Sequence, residues 1–553
     1  MKGAVTKTAS KRFRRSKLSL MVGGVISGIL TAGTACAFQI DTSNPDLNIR
    51  WDNTLKYSSA WRVGERDDNL TDQVNANDAN LNFDRGLISN RADLLSELDL
   101  QYGDFGMRLS AAGWYDDVYQ GSNDHPNDGT SNLSSVDYNE FSDEAKKIHG
   151  GDVELLDAFL STRFEAGDAL GLVRLGQFGQ VWGESLFFGA NAIAGGMAPV
   201  DVVKLASVPG TQFKEAIRPV KQLSGQVLLT PEISMSAYYQ FEWEGNRLPV
   251  AGSYFGGSDT VPDGESIILG PGLTANQLSH DEAKNSGQGG IQLRIMGEET
   301  DYGLYLIRFH SKNFQQVVNL GVVPFVGPAP VSYRQVYHEG ITAVGASASR
   351  TFGDVNLAAE VSYRHNQDLA STNALDLSGL GGPATDNSDN PAYAVGNTAH
   401  INLSALWSLP PNALFREGDF VGEIAWNRVL NVTKNEGALD PNATRDAVAL
   451  RFKVEPKYRQ VTSGLDLSVP VVVGWAPKGS RSMALGPGAF PADGGGDISV
   501  GLNAVYLDSW RLGVNYTHYF GDSDEFLTSS SNYSYQQYMK DRDFVSFSIN
   551  RTF

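Results

Sequence analysis

Few residues in this sequence are spaced for catalysis. Gly183-Glu184-Ser185-Leu186-Phe187 holds a serine, but a nucleophile elbow needs Gly-x-Ser-x-Gly on a strand-to-helix turn, and Phe187 stands where the second glycine belongs. His400 and Ser404 share one side of an alternating segment, with no acid visible to orient the imidazole. His518 lies between Tyr516 and Phe520; a base there needs a serine and an orienting group within hydrogen-bond reach. The competing reading is a histidine at a membrane interface. The stretch ERDDNLTDQVNANDANLNFD is acidic enough to attract divalent cations, yet it lacks the ligand spacing and central glycine of a calcium loop. No catalytic residue, cofactor or metal site is assigned, and the expectation is a protein that is not an enzyme.

The N-terminus points to export. Lys2, Lys7, Lys11, Arg12, Arg14, Arg15 and Lys17 precede the apolar run LSLMVGGVISGILTAG and the small-x-small site Ala35-Cys36-Ala37. Residues 1–37 therefore read as a signal peptide, and 38–553 as the mature chain. Lipoprotein processing at Cys36 is disfavoured by Gly33 three positions before it. Without those seven basic groups, 37 Lys+Arg face 63 Asp+Glu, a net charge of −26. Nucleic acid is not an expected partner, because phosphate binding needs a positive surface. The lone cysteine leaves with the signal, so disulfides and thiolate chemistry are excluded. The mature chain has no run of 18 apolar residues.

What positions any functional residue is a repeating strand pattern. In LNIRWDNTLKYSSAWRV, Leu47, Ile49, Trp51, Leu55, Tyr57, Trp61 and Val63 face one way, while Arg50, Asp52, Lys56 and Arg62 face the other. A period of two is extended strand, and this one is long enough to cross a membrane. VNLAAEVSYR and LDLSVPVVVGW repeat the pattern. Short turns, such as 103–106, 165–169, 351–354 and 456–463, take turns with long segments, including 64–86, 117–153, 179–221, 312–339 and 476–496. That order belongs to a transmembrane antiparallel β-barrel with tight periplasmic turns and long external loops. The flanking segments count to about 18 strands (16–18). Aromatics beside the short turns, among them Tyr102, Phe105, Tyr302, Phe352 and Trp407, fit an interfacial girdle. The ending DFVSFSINRTF, closing on Phe553, resembles the signal by which the barrel assembly machinery recognises its clients, although Arg551 departs from it.

One long segment differs from the rest. Residues 179–221, GQVWGESLFFGANAIAGGMAPVDVVKLASVPGTQFKEAIRPVK, are apolar, rich in small residues and punctuated by Pro199, Pro209 and Pro219. A barrel this wide is not filled by its strand side chains. The segment is expected to fold into the lumen as a constriction or plug, with helical turns around VDVVKLA and QFKEAI. The alternative is an external apolar cap. The lumen wall is mixed in sign, with Arg50, Asp52, Glu97, Asp99 and Arg108 on early strands and Glu360, Arg364, Glu423, Arg451 and Lys453 later.

Two blocks resemble a known family. NLNFDRGLISNRADLLSELDL carries Asn82, Gly86, Asn90, Arg91, Glu97 and Asp99. VRLGQFGQVWGESLFF, PVD and VPGTQFKEA carry Gly176, Trp182, Gly183, Glu184, Ser185, Pro199, Asp201, Pro209, Gly210, Glu215 and Ala216. Both are similar to the Gram-negative outer-membrane family called domain of unknown function 1302. FFGANAIAGGMA is looser than that family's wording there. The resemblance implies no established activity. It implies a conduit for hydrophobic or lipid-like small molecules, working with a periplasmic or lipid-anchored partner and an inner-membrane exporter of the RND type. The alternatives are a general or selective porin, and a barrel that anchors acidic loops to outer-membrane lipid and lipopolysaccharide.

Overall fold

The computed structural model describes residues 38–553 except 168, 210 and 212–215. The expected signal peptide, and Gly210 and Glu215 of the expected plug segment, lie outside the described residues. So does most of QFKEAI.

Eighteen antiparallel strands close into one barrel. In chain order they are β1 (Leu47–Arg62), β2 (Gly86–Tyr102), β3 (Phe105–Asp116), β4 (Gly151–Ala166), β5 (Ala169–Phe178) and β6 (Val220–Thr230). There follow β7 (Ile233–Gln240), β8 (Gln288–Met296), β9 (Thr300–Phe309), β10 (Ile341–Phe352), β11 (Val355–Asp368) and β12 (Val395–Leu409). The last are β13 (Glu417–Lys434), β14 (Asp446–Thr462), β15 (Leu465–Ser468 and Val471–Trp475), β16 (Gly496–Tyr506), β17 (Trp510–Phe520) and β18 (Phe544–Thr552). Each pairs with its neighbour, and β1 pairs with both β2 and β18, with Thr54 opposite Thr552. Closure leaves no open ladder facing lipid. A short strand, Phe38–Ile40, extends the sheet by pairing with Ile49–Trp51.

The alternation resolves into two faces. On β11, Leu357, Val361 and Tyr363 are exposed outward, while Glu360, Ser362 and Arg364 are buried inward. On β9, Leu304 and Leu306 are outward and Tyr305, Ile307 and Phe309 inward. Large apolar side chains left outside a folded wall mark a surface meant for acyl chains. Exposed rings collect at the short-turn rim, including Tyr102, Phe105, Phe164, Tyr302, Phe352, Trp407 and Tyr506. Two-residue turns suffice there: Gly353, at φ +58°, and Asp354 join Phe352 to Val355.

One expected turn is misplaced. Pro456 lies inside β14, and the chain reverses after Thr462. Pro456 and Pro470 sit opposite a break in the ladder, where Val469 N–H donates to the Pro456 carbonyl (3.0 Å) and Gly501 N–H to that of Pro470 (2.9 Å). Proline removes a donor, and the wall absorbs the loss as a local irregularity instead of ending the strand.

At the other rim the long connections pack into a roof. Phe83, Tyr119, Phe141, Tyr254 and Phe544, drawn from four chain regions, form one buried cluster. Arg62 is clamped there by Asp541 (2.6 Å), with Asn80 on the same carboxylate oxygen (2.9 Å). Segment 312–339 is not the polar loop that its place in the pattern suggests. It forms a hairpin, Gln315–Val323 with Gly327–Val336, at the centre of a five-stranded outer sheet completed by Leu375–Asp376, Leu273–Gln277 and Ser266–Gly270.

Candidate functional site: the segment against the inner wall

Between β5 and β6, the described residues of 179–219 run along the inward face of the barrel. Short 3₁₀ turns at Gly189–Asn191 and Ile193–Gly196 lead to one helix, α1 (Val202–Ser207), capped by Asp201, whose carboxylate accepts the Lys204 N–H (2.8 Å). The small residues have a steric reason. A side chain on Gly196 would meet the Phe309 ring at 2.7 Å, and Gly183, at φ +103°, lies flat against the Glu360 carboxylate. Trp182 packs edge-on to Tyr238, with ring centroids 5.0 Å apart. Around it Ile193, Met197, Tyr305, Ile307 and Phe309 complete an apolar seam between segment and wall.

An irregular segment has backbone groups to satisfy, and the wall takes them. Glu423 accepts hydrogen bonds from the Ser185 hydroxyl (2.8 Å), Leu186 N–H (3.0 Å) and Phe188 N–H (2.9 Å), and a short one from Phe187 N–H. Glu360 accepts from Glu184 N–H (2.8 Å) and Ile193 N–H (2.7 Å). Arg364 donates to the Ala190 and Ala192 carbonyls, both at 2.8 Å. Hydrogen bonds to charged groups contribute about 1.5–3 kcal/mol each. Asn191 is held from four sides, donating to Asn402 (3.0 Å) and Trp426 (3.1 Å) and accepting from Asn427 (3.0 Å), with His400 Nδ1 at 3.0 Å. Further along, Asp201 meets Arg247 at 2.8 Å, and Arg247 also grips Glu154 at 2.9 Å.

The sequence-selected residues thus separate into groups. Trp182, Gly183, Glu184, Ser185 and Asp201 all contact the wall or its partners, and the Pro199 carbonyl accepts the Arg218 N–H (2.9 Å). Pro209 is half-buried just after α1. Arg364 belongs with this group. Arg50, Asp52, Glu97, Asp99 and Arg108 form a separate patch on β1–β3, where Arg50 pairs with Asp52 (2.6 Å) and Arg108 bridges Glu97, Asp99 (2.8 Å) and Asp157 (3.1 Å). Glu360, Glu423 and His400 were legible as inward-facing, but not as anchors of a distant segment. Asn191 and Arg247 gave no sequence signal.

Beside the segment lies a cavity of about 270 Å³, between residues 180–184 and the inward faces of β5–β9. Its lining includes Arg174, Arg294, Glu184, Gln226, Ser236 and Gln292. Among the described residues Arg174 has no ion-pair partner, its guanidinium lying over the Phe178 ring; the Glu184 carboxylate accepts no hydrogen bond, and Arg294 has only a long, exposed contact to Asp301 (3.5 Å). Uncommitted charges on a wet surface can meet a solute; paired ones, like Arg108, are already spent.

The other chemical candidates resolve differently. His518 Nδ1 lies 2.6 Å from Asp543, which also accepts from the Tyr516 hydroxyl (2.8 Å), so an orienting acid is present. No serine is hydrogen-bonded to His518 among the described residues. Ser404, on the His400 face, donates to the Glu184 carbonyl (3.1 Å). Among the described residues no group of three or more His, Cys, Asp or Glu is placed to hold a metal ion.

Known structures share the outline at low identity. The Pseudomonas aeruginosa protein OpdK, solved with vanillate, is 11% identical over 91% of this chain and 98% of its own, at a TM-score of 0.40. Acinetobacter baumannii OccAB3 is 9% identical over 91% of this chain and 99% of its own, at 0.43. The Acinetobacter baumannii outer-membrane channel DcaP is 9% identical over 93% and 100%, at 0.38. No curated protein matches the chain. The profile described as protein of unknown function (DUF1302) matches residues 18–553, nearly the full length, and the chain belongs to that family.

Proposed function

We propose that this protein is an outer-membrane channel whose bore is narrowed by the segment 179–219, and that small polar solutes pass beside that segment. The observation that carries the reading is the polar cavity with Arg174, Arg294 and Glu184 on its walls. A segment anchored through two wall carboxylates is a fixed constriction, and charge at a constriction selects what passes. Hydrophobic cargo handed between this barrel and an envelope exporter is the second reading; the apolar seam around Trp182 and Ile193 favours it, but only if the segment moves.

Planar-bilayer recording separates these readings. The intact protein is expected to conduct in small steps, and deletion of 190–215 to raise the step several-fold. Arg174→Glu with Arg294→Glu should shift the reversal potential in a salt gradient towards cation preference. A silent barrel that stays silent after the deletion overturns the channel. A conducting barrel whose reversal potential ignores both arginines overturns the placement of the passage.

A further inference from the structure

A second cavity lies at the long-loop mouth, between residues 480–497 and 519–539, with a volume of about 160 Å³. Its walls are aromatic: Phe490, Phe526, Tyr519, Tyr535 and Tyr538 border it, with Met539 beside them. Pro487 and Pro491 add flat apolar edges. Phe526 and Tyr538 meet edge-to-face at 5.2 Å, and Phe490 leans on Phe188 of the folded-in segment at 5.3 Å. The rings are therefore mutually braced, and a guest would enter a preformed slot. An apolar cavity of about 150 Å³ is enough to take up benzene.

The polar content of the slot narrows the class of guest. Asp497 is neutralised by Arg451 at 2.7 Å, and Asp493, next to Ala492, by Arg481 at 2.8 Å. No uncommitted charge is left to attract an ion. The hydroxyls of Tyr519 and Tyr538 have no hydrogen-bond partner among the described residues, and the Tyr535 hydroxyl is buried without one. Unpaired hydroxyls beside ring faces suit a ligand with a π surface and a polar substituent.

We infer that this cleft is a binding site for a small, neutral, single-ring aromatic compound bearing a hydroxyl or similar polar group. Ring faces hold the guest by offset or edge-to-face contact, and the tyrosine hydroxyls orient its substituent. The site does not depend on conduction.

The test uses the full chain purified in detergent, with phenol as probe and cyclohexanol as a non-aromatic control of like size, followed by ligand-observed NMR. Phenol should bind saturably, with cyclohexanol at least tenfold weaker. Ala492→Phe, which places a ring in the cavity, should abolish phenol binding, and Tyr538→Leu, which keeps bulk without a π face or hydroxyl, should weaken it at least fivefold. Heat-modifiable gel migration verifies that each barrel is folded. Equal binding of the two probes, no saturable phenol binding, or phenol binding untouched in both folded variants would each overturn the site. Because the readout is at equilibrium without voltage, a protein that binds phenol but passes no current keeps the cleft and loses the channel.

Discussion

Two connections of this barrel are rich in apolar residues and end in opposite places. The described residues of 179–219 lie against the inner wall, whereas 315–336 stands outside as a hairpin whose tip residue, Phe325, is fully exposed. Greasiness does not distinguish them. The hairpin satisfies its own backbone, with Gln315 opposite Val336 and Val323 opposite Gly327. The inner segment has no strand partner over most of its length, so its N–H groups must find acceptors elsewhere, and Glu360 and Glu423 supply them. Where a loop goes is decided by who takes its backbone polar groups.

The largest effect should come from removing that acceptor. Glu423→Gln offers one neutral oxygen and an extra donor to five donors, four of them on the segment and one on Asn402, so the segment should detach and single-channel conductance rise several-fold. The barrel itself should keep its melting behaviour, because the strand ladders are untouched. Unchanged conductance would mean that the apolar seam alone holds the segment, and the contrast between the two loops would collapse.

A smaller effect tests the hairpin's base. Lys312 is buried against Trp243, with only the neutral Gln288 side chain as acceptor (2.9 Å). Burial lowers its ammonium from 10.5 to about 7. A lowered lysine costs stability in full below pH 7, and the cost fades as pH rises towards 10.5, so the roof should resist proteolysis better at pH 10 than at pH 7. Lys312→Met should flatten that slope; a slope unchanged in the variant would place its origin elsewhere. The smallest effect is expected at the tip. Phe325→Ser should alter stability by no more than about 0.5 kcal/mol and leave conductance unchanged.

The barrel was legible because each wall position answers to only two solvents. Val355 to Arg364 must alternate, and one slip would turn every side chain to the wrong face. Prolines misled the reading at Pro456, since nothing local says whether a lost donor ends a strand or bends it. The inner contacts were illegible for a different reason. Glu423 could be placed on the lumen face, but its partners are backbone N–H groups more than 230 residues away, which carry no sequence signature. The outer sheet has no contiguous sequence signature, because three separate connections contribute its short strands.

The outward aromatic rings carry a consequence for the membrane itself. On β3 the exposed outward side chains run from Phe105, at the short-turn rim, through Leu109 to Tyr115, ten residues further along. At about 3.3 Å per residue and a tilt of about 40°, the greasy belt is about 25 Å tall. That is short against a bilayer core of about 30 Å. Long-chain lipids would have to compress around this cylinder, so short-chain or naturally thin bilayers should accept it most readily, and acyl length becomes a control over where it inserts and how well it refolds.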